Sequence, residues 1–261
     1  LSAAGVLSGT PAAGTAGAYP ITITAQNGFL PNATQAFTLT VVAVVPPPPP
    51  LPVNAAYSLN AGSGTAAVDL SGNGNNGTLL NGVAWTAAGK YAGALSFDGA
   101  DDFVSVPDSA TLDIGSSGTI EAWVRLTAIN RWNGVLAKGN ANSDPAMNYA
   151  LEVNDTNRFV CTLGSGSAAR ILIATSAVTT GTFYHVACVW NGAQLQLYIN
   201  GALNTSAAQN LTPGANTSPL YIGQYGGNAD RISGVIDEVR IYNRALTQSE
   251  ISSDMNAALA P

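Results

Sequence analysis

Charge is scarce in this chain of 261 residues: 9 Lys and Arg stand beside 15 Asp and Glu, 9% of the total, where a soluble protein ordinarily carries about 25%. Nine scattered basic residues under a net charge of -6 cannot build the basic stripe that displaces counterions from phosphates, so nucleic acid is excluded as a partner. One histidine and two cysteines supply no cluster spaced for zinc. No run of about 18 apolar residues occurs, so no membrane-spanning helix is expected. Residues 1–17 lack the charged start and apolar stretch of a signal peptide and read as the continuation of a larger protein. The shortage of charge does not mean disorder, because 46% of the residues are hydrophobic and can bury a sizeable core. Gly, Ser, Thr, Asn and Ala fill the places that Glu and Lys leave, a vocabulary of turns and short strands. The expected class is all-β.

The clearest boundary is Pro46 to Pro50, followed by Leu51 and Pro52. This run must be extended, since each ring fixes φ and removes a donor, and it makes residues 46–53 a stiff spacer. Before it, YPITITAQ and QAFTLTVVAVV alternate apolar and polar residues around the turn-rich NGFLPNAT, which predicts a small β-hairpin within residues 1–45. After it, residues 54–261 offer strand candidates every 10 to 15 residues, among them TIEAWVRL, YALEVN, RFVCTLG, FYHVACVWNG, QLQLYING and GVIDEVRIYN. About twelve strands without intervening helices predict a two-sheet antiparallel β-sandwich of jelly-roll type. TIEAWVRL carries bulk on both faces, Ile120, Ala122, Val124 and Leu126 on one and Glu121, Trp123 and Arg125 on the other, as a central strand does. Near the end, Thr247 and Glu250 fit a capping box that opens one short C-terminal helix. Cys161 and Cys188 each fall in a predicted strand; one disulfide, if those strands are neighbours, and two buried thiols both fit the sequence.

Four blocks then carry a family resemblance: DLSGNGNNGTL (69–79), ALSFDGADDFVSVPDS (94–109), TIEAWVRL with FYHVACVWNGAQLQLYINGAL (119–126 and 183–203), and GVIDEVRIYNRALTQSEI (234–251). In this order they resemble a laminin-G-like (LamG) module of the concanavalin A-like lectin/glucanase superfamily. Gly5, Ser8, Gly9, Thr10 and Pro11 similarly resemble the later half of a bacterial Ig-like (cadherin-like) repeat. The resemblance implies a concanavalin A-like jelly roll, a structural calcium ion, and binding of carbohydrate or protein more often than catalysis.

Asp69, Ser71, Asn73, Gly74 and Asn75 reproduce the front half of a D-x-[DN]-x-[DN]-G loop, which wraps a hard cation in oxygen atoms. Position 12 is Leu80 rather than Glu, so a complete EF-hand is excluded and a further carboxylate is needed. The resemblance points to Asp237 in the last strand as that donor, and Ca2+ as the guest. The competing reading of the loop is a cluster of Asx-turns. Asp98, Asp101 and Asp102 could hold a second cation, although Asp98-Gly99 reads more simply as a hairpin turn.

Retaining glycoside hydrolases of the same superfamily deliver two carboxylates about 5.5 Å apart from alternate residues of one strand. No E-x-D-x-x-E strand occurs here: Glu121 and Glu152 each stand alone, and Asp237 and Glu238 are adjacent, hence expected on opposite faces. His185 has no nucleophile spaced for it and reads as a packed histidine. The chain is therefore expected not to be an enzyme. For sugar binding, an aromatic platform with polar neighbours is needed. Trp132 with Arg131 and Asn133, and Tyr225 with Asn228, Asp230 and Arg231, are the exposed candidates, while Trp85, Trp123 and Trp190 read as packing residues. The six N-x-[ST] matches in a chain so rich in Asn, Ser and Thr support no glycosylation claim. These readings predict a non-catalytic, calcium-stabilised recognition module of a secreted or cell-surface protein. Its partner would be a glycan or an extracellular protein ligand, with a purely architectural role as the remaining alternative.

Overall fold

The computed structural model describes residues 17–26, 28–41, 52–140, 143–227 and 230–259. The Ig-like motif residues Gly5 to Pro11, the prolines 46–50 and Asn228 lie outside them. Two compact units separate at residues 51 and 52. In the first, β1 (Gly17–Ala25) and β2 (Ala33–Val41) pair antiparallel with Ile21 opposite Phe37. Most of their side chains are exposed among the described residues.

The second unit continues with β3 (Ala55–Tyr57), β4 (Ala66–Ala67), β5 (Gly77–Leu80), β6 (Ala84–Thr86), β7 (Ala94–Asp98), β8 (Phe103–Val106) and β9 (Gly118–Leu126). Next come β10 (Asn133–Gly139), a 3-10 turn (Asp144–Ala146), β11 (Met147–Val153), β12 (Arg158–Gly164), β13 (Ala169–Ala177) and β14 (Phe183–Trp190). The chain ends through β15 (Gln194–Ile199), β16 (Ala202–Ala208), β17 (Leu220–Ile222), β18 (Ser233–Tyr242) and α1 (Gln248–Met255). One sheet runs β13-β12-β11-β10-β17-β8-β5-β4 and the other β16-β15-β14-β9-β18-β7-β6, with β3 added beside β18. Every pairing between named strands is antiparallel. The two-sheet sandwich with one short C-terminal helix is the architecture that the strand spacing predicts.

Alternation decides what each strand buries. Ile120, Ala122, Val124 and Leu126 of β9 meet Tyr149, Leu151 and Val153 of β11 and Phe159 and Leu163 of β12 in one core between the sheets. β9 lies centrally in its sheet, between β14 and β18. Cys161 and Cys188 are bonded to each other. Their strands are not neighbours in one sheet; β12 and β14 belong to opposite sheets, so the disulfide crosses the core and ties the two layers together. At α1 the capping box is complete: the Thr247 side chain accepts from the Glu250 N–H, and the Glu250 carboxylate accepts from the Thr247 N–H.

Adjacent Asp237 and Glu238 do not follow simple alternation. A bulge between Asp237 and Arg240 places those two residues opposite Trp123 and Glu121 of β9, which share one face. Glu238 is left-handed, with φ of 54°, and its carboxylate meets Arg240 Nη2 at 3.0 Å. The expected separation onto opposite faces is thereby replaced by a buried polar group on the outer side of the second sheet.

Candidate functional site: an acidic, aromatic cavity on the outer face of one sheet

Strand alternation that sends Tyr149, Leu151 and Val153 inward sends Ala150 and Glu152 outward, and likewise Val160 and Thr162 on β12 and Ile171 and Ile173 on β13. These outward residues floor an open cavity of about 370 Å³, walled by Trp132, Asp144, Tyr225 and Asp230. Trp132 and Tyr225, singled out from the sequence, thus come together across 93 residues.

The loop carrying Trp132 is fastened on both sides. Asn130 N–H donates to Asn157 Oδ1 at 2.6 Å, and the amide of Asn157 returns a bond to Asn130 Oδ1 at 2.9 Å. Asn133, fully buried, accepts from Ser233 N–H and donates to the Arg131 carbonyl. Trp132 itself stays 38% exposed, the condition of a stacking platform held on a rigid base. The opposite wall is set by Gly134, whose N–H donates to the Asp230 carbonyl at 2.6 Å. A Cβ there would collide with the backbone of Gln224, Tyr225 and Asp230, so only glycine lets those three residues pack this closely.

Tyr225 differs from its expectation as an exposed loop aromatic. It is buried with Ala137, Met147 and Ala150, and its hydroxyl donates to Asp144 Oδ1. A buried phenol needs a partner, and the 3-10 turn before β11 supplies one. The arginines are also placed otherwise. Arg131 Nη2 donates to the carbonyls of Gly99 and Arg231. Arg231 donates to Gln224 Oε1 at 2.6 Å and stacks 5.1 Å from the centroid of Phe103. Both brace the loops and neither lines the cavity.

Of the cavity's three carboxylates, the sequence signalled Asp230 beside Tyr225 but neither Asp144 nor Glu152. Asp144 comes from the 3-10 turn, Glu152 from β11 and Asp230 from a loop, and no single strand shows the set. Glu152 is 4% exposed. Burial, followed by the charges of Asp230 and Asp144, pushes its carboxyl up to about 8. Burial also raises Asp230, with Arg131 pulling in the other direction.

The calcium loop read from the sequence is filled by hydrogen bonds. Asp69 Oδ1 accepts from the N–H of Ala56 and Ser71, and Oδ2 from Ser71 Oγ and the N–H of Asn75. Ser71 Oγ, Asn73 Nδ2 and Asn75 Nδ2 converge on the Asn54 carbonyl at 3.1, 3.0 and 2.9 Å. These bonds hold the Asp69 carboxylate and pin the start of the sandwich. Asp237 Oδ2 accepts the N–H groups of Lys90 and Tyr91 at 2.8 and 2.9 Å, anchoring the 88–93 segment.

The acidic turn fits a cation better. Carboxylate oxygens of Asp98, Asp101 and Asp102 lie within 4.8 Å of one another. Asp98 Oδ1 accepts from Ala100 N–H, and Asp102 Oδ2 from Asp98 N–H, while Gly99 has φ of 81°. These are the expected marks of a turn, yet Asp102 Oδ1 is buried without a hydrogen-bond partner. Three carboxylates with a free buried oxygen are a donor set that a hard cation can use.

His185 is packed, as its sequence context suggests. It lies buried between Glu121, 3.8 Å from Nε2, and the edge of Trp123, and burial pushes it down to about 3. Trp190 is buried in the core with Nε1 on the Gly115 carbonyl. Trp123 is covered by Lys90, 4.1 Å from the ring centroid, and Trp85 Nε1 donates to the Gly64 carbonyl.

Residues 98–252 match a laminin-G family model described as the concanavalin A-like lectin/glucanases superfamily, and residues 1–42 match an Ig-domain model. No curated protein matches the chain. Among solved structures, domain 4 of the GH43 extracellular arabinanase of Geobacillus stearothermophilus, in complex with arabinotriose, is similar at 20% identity and a TM-score of 0.64. The match covers 78% of this chain and 98% of that one. The binding domain of Paraclostridial Mosquitocidal Protein 1 is similar at 19% identity and a TM-score of 0.64, over 78% and 52% of the two chains. The binding domain of botulinum neurotoxin serotype G follows at 15% and 0.61, over 78% and 50%. The chain spans about half the length of these two toxin domains, and identities this low carry the fold alone. With a family model matched over more than half of its residues, the chain belongs to the concanavalin A-like lectin/glucanase superfamily.

Proposed function

We propose that this chain is a non-catalytic carbohydrate-binding module of a secreted or cell-surface protein, and that the cavity between Trp132 and Tyr225 is its glycan site. The observation that carries this reading is the aromatic platform of Trp132, held by buried Asn133 beside a cavity floored with Ile171, Ile173, Thr162 and Glu152. Sugars present C–H faces that stack on aromatic rings and hydroxyls that need polar partners, and both are provided here. The arabinanase domain, solved with arabinotriose, supports the same direction. Binding rather than hydrolysis is favoured because Asp144, Glu152 and Asp230 come from a turn, a strand and a loop rather than from alternate residues of one strand, and Asp144 is engaged by the Tyr225 hydroxyl. Hydrolases hold both carboxylates rigidly across the bond to be cut.

Calcium is assigned to the Asp98–Asp101–Asp102 turn, where the unpartnered Asp102 Oδ1 supplies a ligand atom, and its part is to rigidify that turn. A glycan array followed by affinity electrophoresis tests the main reading. Retention by an oligosaccharide that Trp132→Ala abolishes supports it. Retention unaffected by Trp132→Ala removes the cavity from the reading, and no retention by any glycan favours a protein ligand instead.

A further inference from the structure

Carboxylates are an unusual lining for a sugar site, and their arrangement narrows the ligand. Asp144, Glu152 and Asp230 all face the cavity, and no Lys, Arg or His stands among its described lining residues. Arg131, whose charge acts on Asp230, is held by the carbonyls of Gly99 and Arg231. Glu152 is the central group. It is 96% buried from solvent and its carboxylate makes no hydrogen bond with any described residue, so its acceptor capacity is directed at whatever enters. Trp132 adds the electron-rich face of an indole beside these acids, the pairing that attracts organic cations.

Building on the glycan reading above, we propose that the cavity selects sugars bearing a free amine, with the ammonium seated between Glu152, Asp230 and the face of Trp132. An anionic sugar meets the negative charges of Asp144 and Asp230 and no compensating cation among the described lining residues, and it is rejected. A neutral sugar gains the stacking but leaves the Glu152 carboxylate without a charged partner.

Proton linkage separates the cases. In the free protein burial, Asp230 and Asp144 hold the Glu152 carboxyl up to about 8; the other titratable groups facing it are the Tyr225 phenol, itself raised by burial and by Asp144, and Arg131 acting through Asp230. An ammonium replaces the proton on Glu152, so affinity for an amino sugar rises with pH from 6 towards 7.5, less steeply as the amine itself begins to lose its proton. A neutral sugar that accepts a hydrogen bond from protonated Glu152 shows no such rise.

The test is titration calorimetry of the whole chain with a glucosamine trisaccharide and with its fully N-acetylated counterpart, alongside the neutral oligosaccharide retained best on the array. The expected result is at least tenfold tighter binding of the amino form. Glu152→Gln and Asp230→Asn should each cost it about tenfold, with little change for the neutral ligands. Glu250→Gln, which removes one negative charge on the C-terminal helix, should leave it unchanged; an equal loss there would mean unspecific attraction and overturn the proposal. Equal or tighter binding of the neutral forms overturns amine selection while the glycan reading stands. Binding of none of the three overturns both.

Discussion

The Tyr225 hydroxyl donates to the Asp144 carboxylate across 81 residues of sequence, and this one bond closes the wall of the cavity between the loop after β17 and the turn before β11. It explains why a tyrosine from a Gly-rich loop is buried, and why Asp144 is a fixed acceptor rather than a free acid. Substituting Tyr225 by Phe leaves Asp144 without its phenol and should weaken ligand binding by about three- to tenfold, since one hydrogen bond to a charged group is worth about 1.5–3 kcal/mol in place and less where water can enter. Unfolding midpoint and binding constant, measured on the same sample, separate the two losses.

Gly134 is the position where the backbone leaves no room. The Gly134→Ala variant should shift Gln224, Tyr225 and Asp230, lower stability by about 1–3 kcal/mol as overpacking does, and reduce ligand binding. A variant with unchanged melting and unchanged binding would show that the close approach to Tyr225 and Asp230 is not needed.

The disulfide between Cys161 and Cys188 encloses 27 residues of separation. Closing a loop of that length restricts the unfolded chain by about 3–4 kcal/mol, so the double Cys161→Ser, Cys188→Ser variant should melt roughly 10 °C lower at a shift of about 2–4 °C per kcal/mol. Equal melting with and without reductant would contradict the bond's contribution.

Stability should fall as pH rises from 6.5 to 8. Glu152 sits at about 8 and Glu238 at about 7, both raised first by burial. Each holds a proton that the unfolded chain has already lost, and that stabilisation disappears as pH climbs through the folded value. His185 acts in the opposite sense but elsewhere: lowered to about 3, it penalises folding only below about 6.5, where the unfolded chain takes up a proton. Glu152→Gln should remove part of the high-pH slope, at most about 1.4 kcal/mol per pH unit. A wild-type midpoint that stays level or rises between pH 6.5 and 8 would be inconsistent with these buried acids.

Calcium, added in excess over EDTA, should raise the midpoint, by about 1.4 kcal/mol at ten times the dissociation constant. Asp101→Asn should abolish that increment. Persistence of the increment in Asp101→Asn would move the ion to another site, and its absence in the wild type would remove calcium from the account.

What could be read from the sequence depended on how local the signal was. TIEAWVRL alternates over a full strand, and β9 falls in the centre of its sheet. The Thr247 to Glu250 cap is complete within four residues. β4, β5 and β6 have only two to four residues, too few for a period to show. β16 was not among the strand candidates: its alternation is weak, and it follows Asn200-Gly201, both at positive φ, a pair suited to a hairpin turn. The loop at Asp69 carried a cation pattern, but oxygen spacing alone does not say which atoms the backbone will satisfy, and Asn54 and Ala56 supply the partners from 13 or more residues away. Asp144, Glu152 and Asp230 meet only because a turn, a strand and a loop are adjacent in space. No spacing rule within one strand could find them.

The central claim, that the cavity on the outer face of β11, β12 and β13 is the ligand site, is tested most directly by NMR. Titrating labelled protein with the oligosaccharide retained best on a glycan array should shift the Trp132 indole N–H and the backbone amides of Glu152, Thr162, Ile171 and Tyr225, with little change at the Asp98 to Asp102 turn or at α1. Saturable shifts that cluster away from Trp132 and leave Glu152 and Thr162 unmoved would contradict the account.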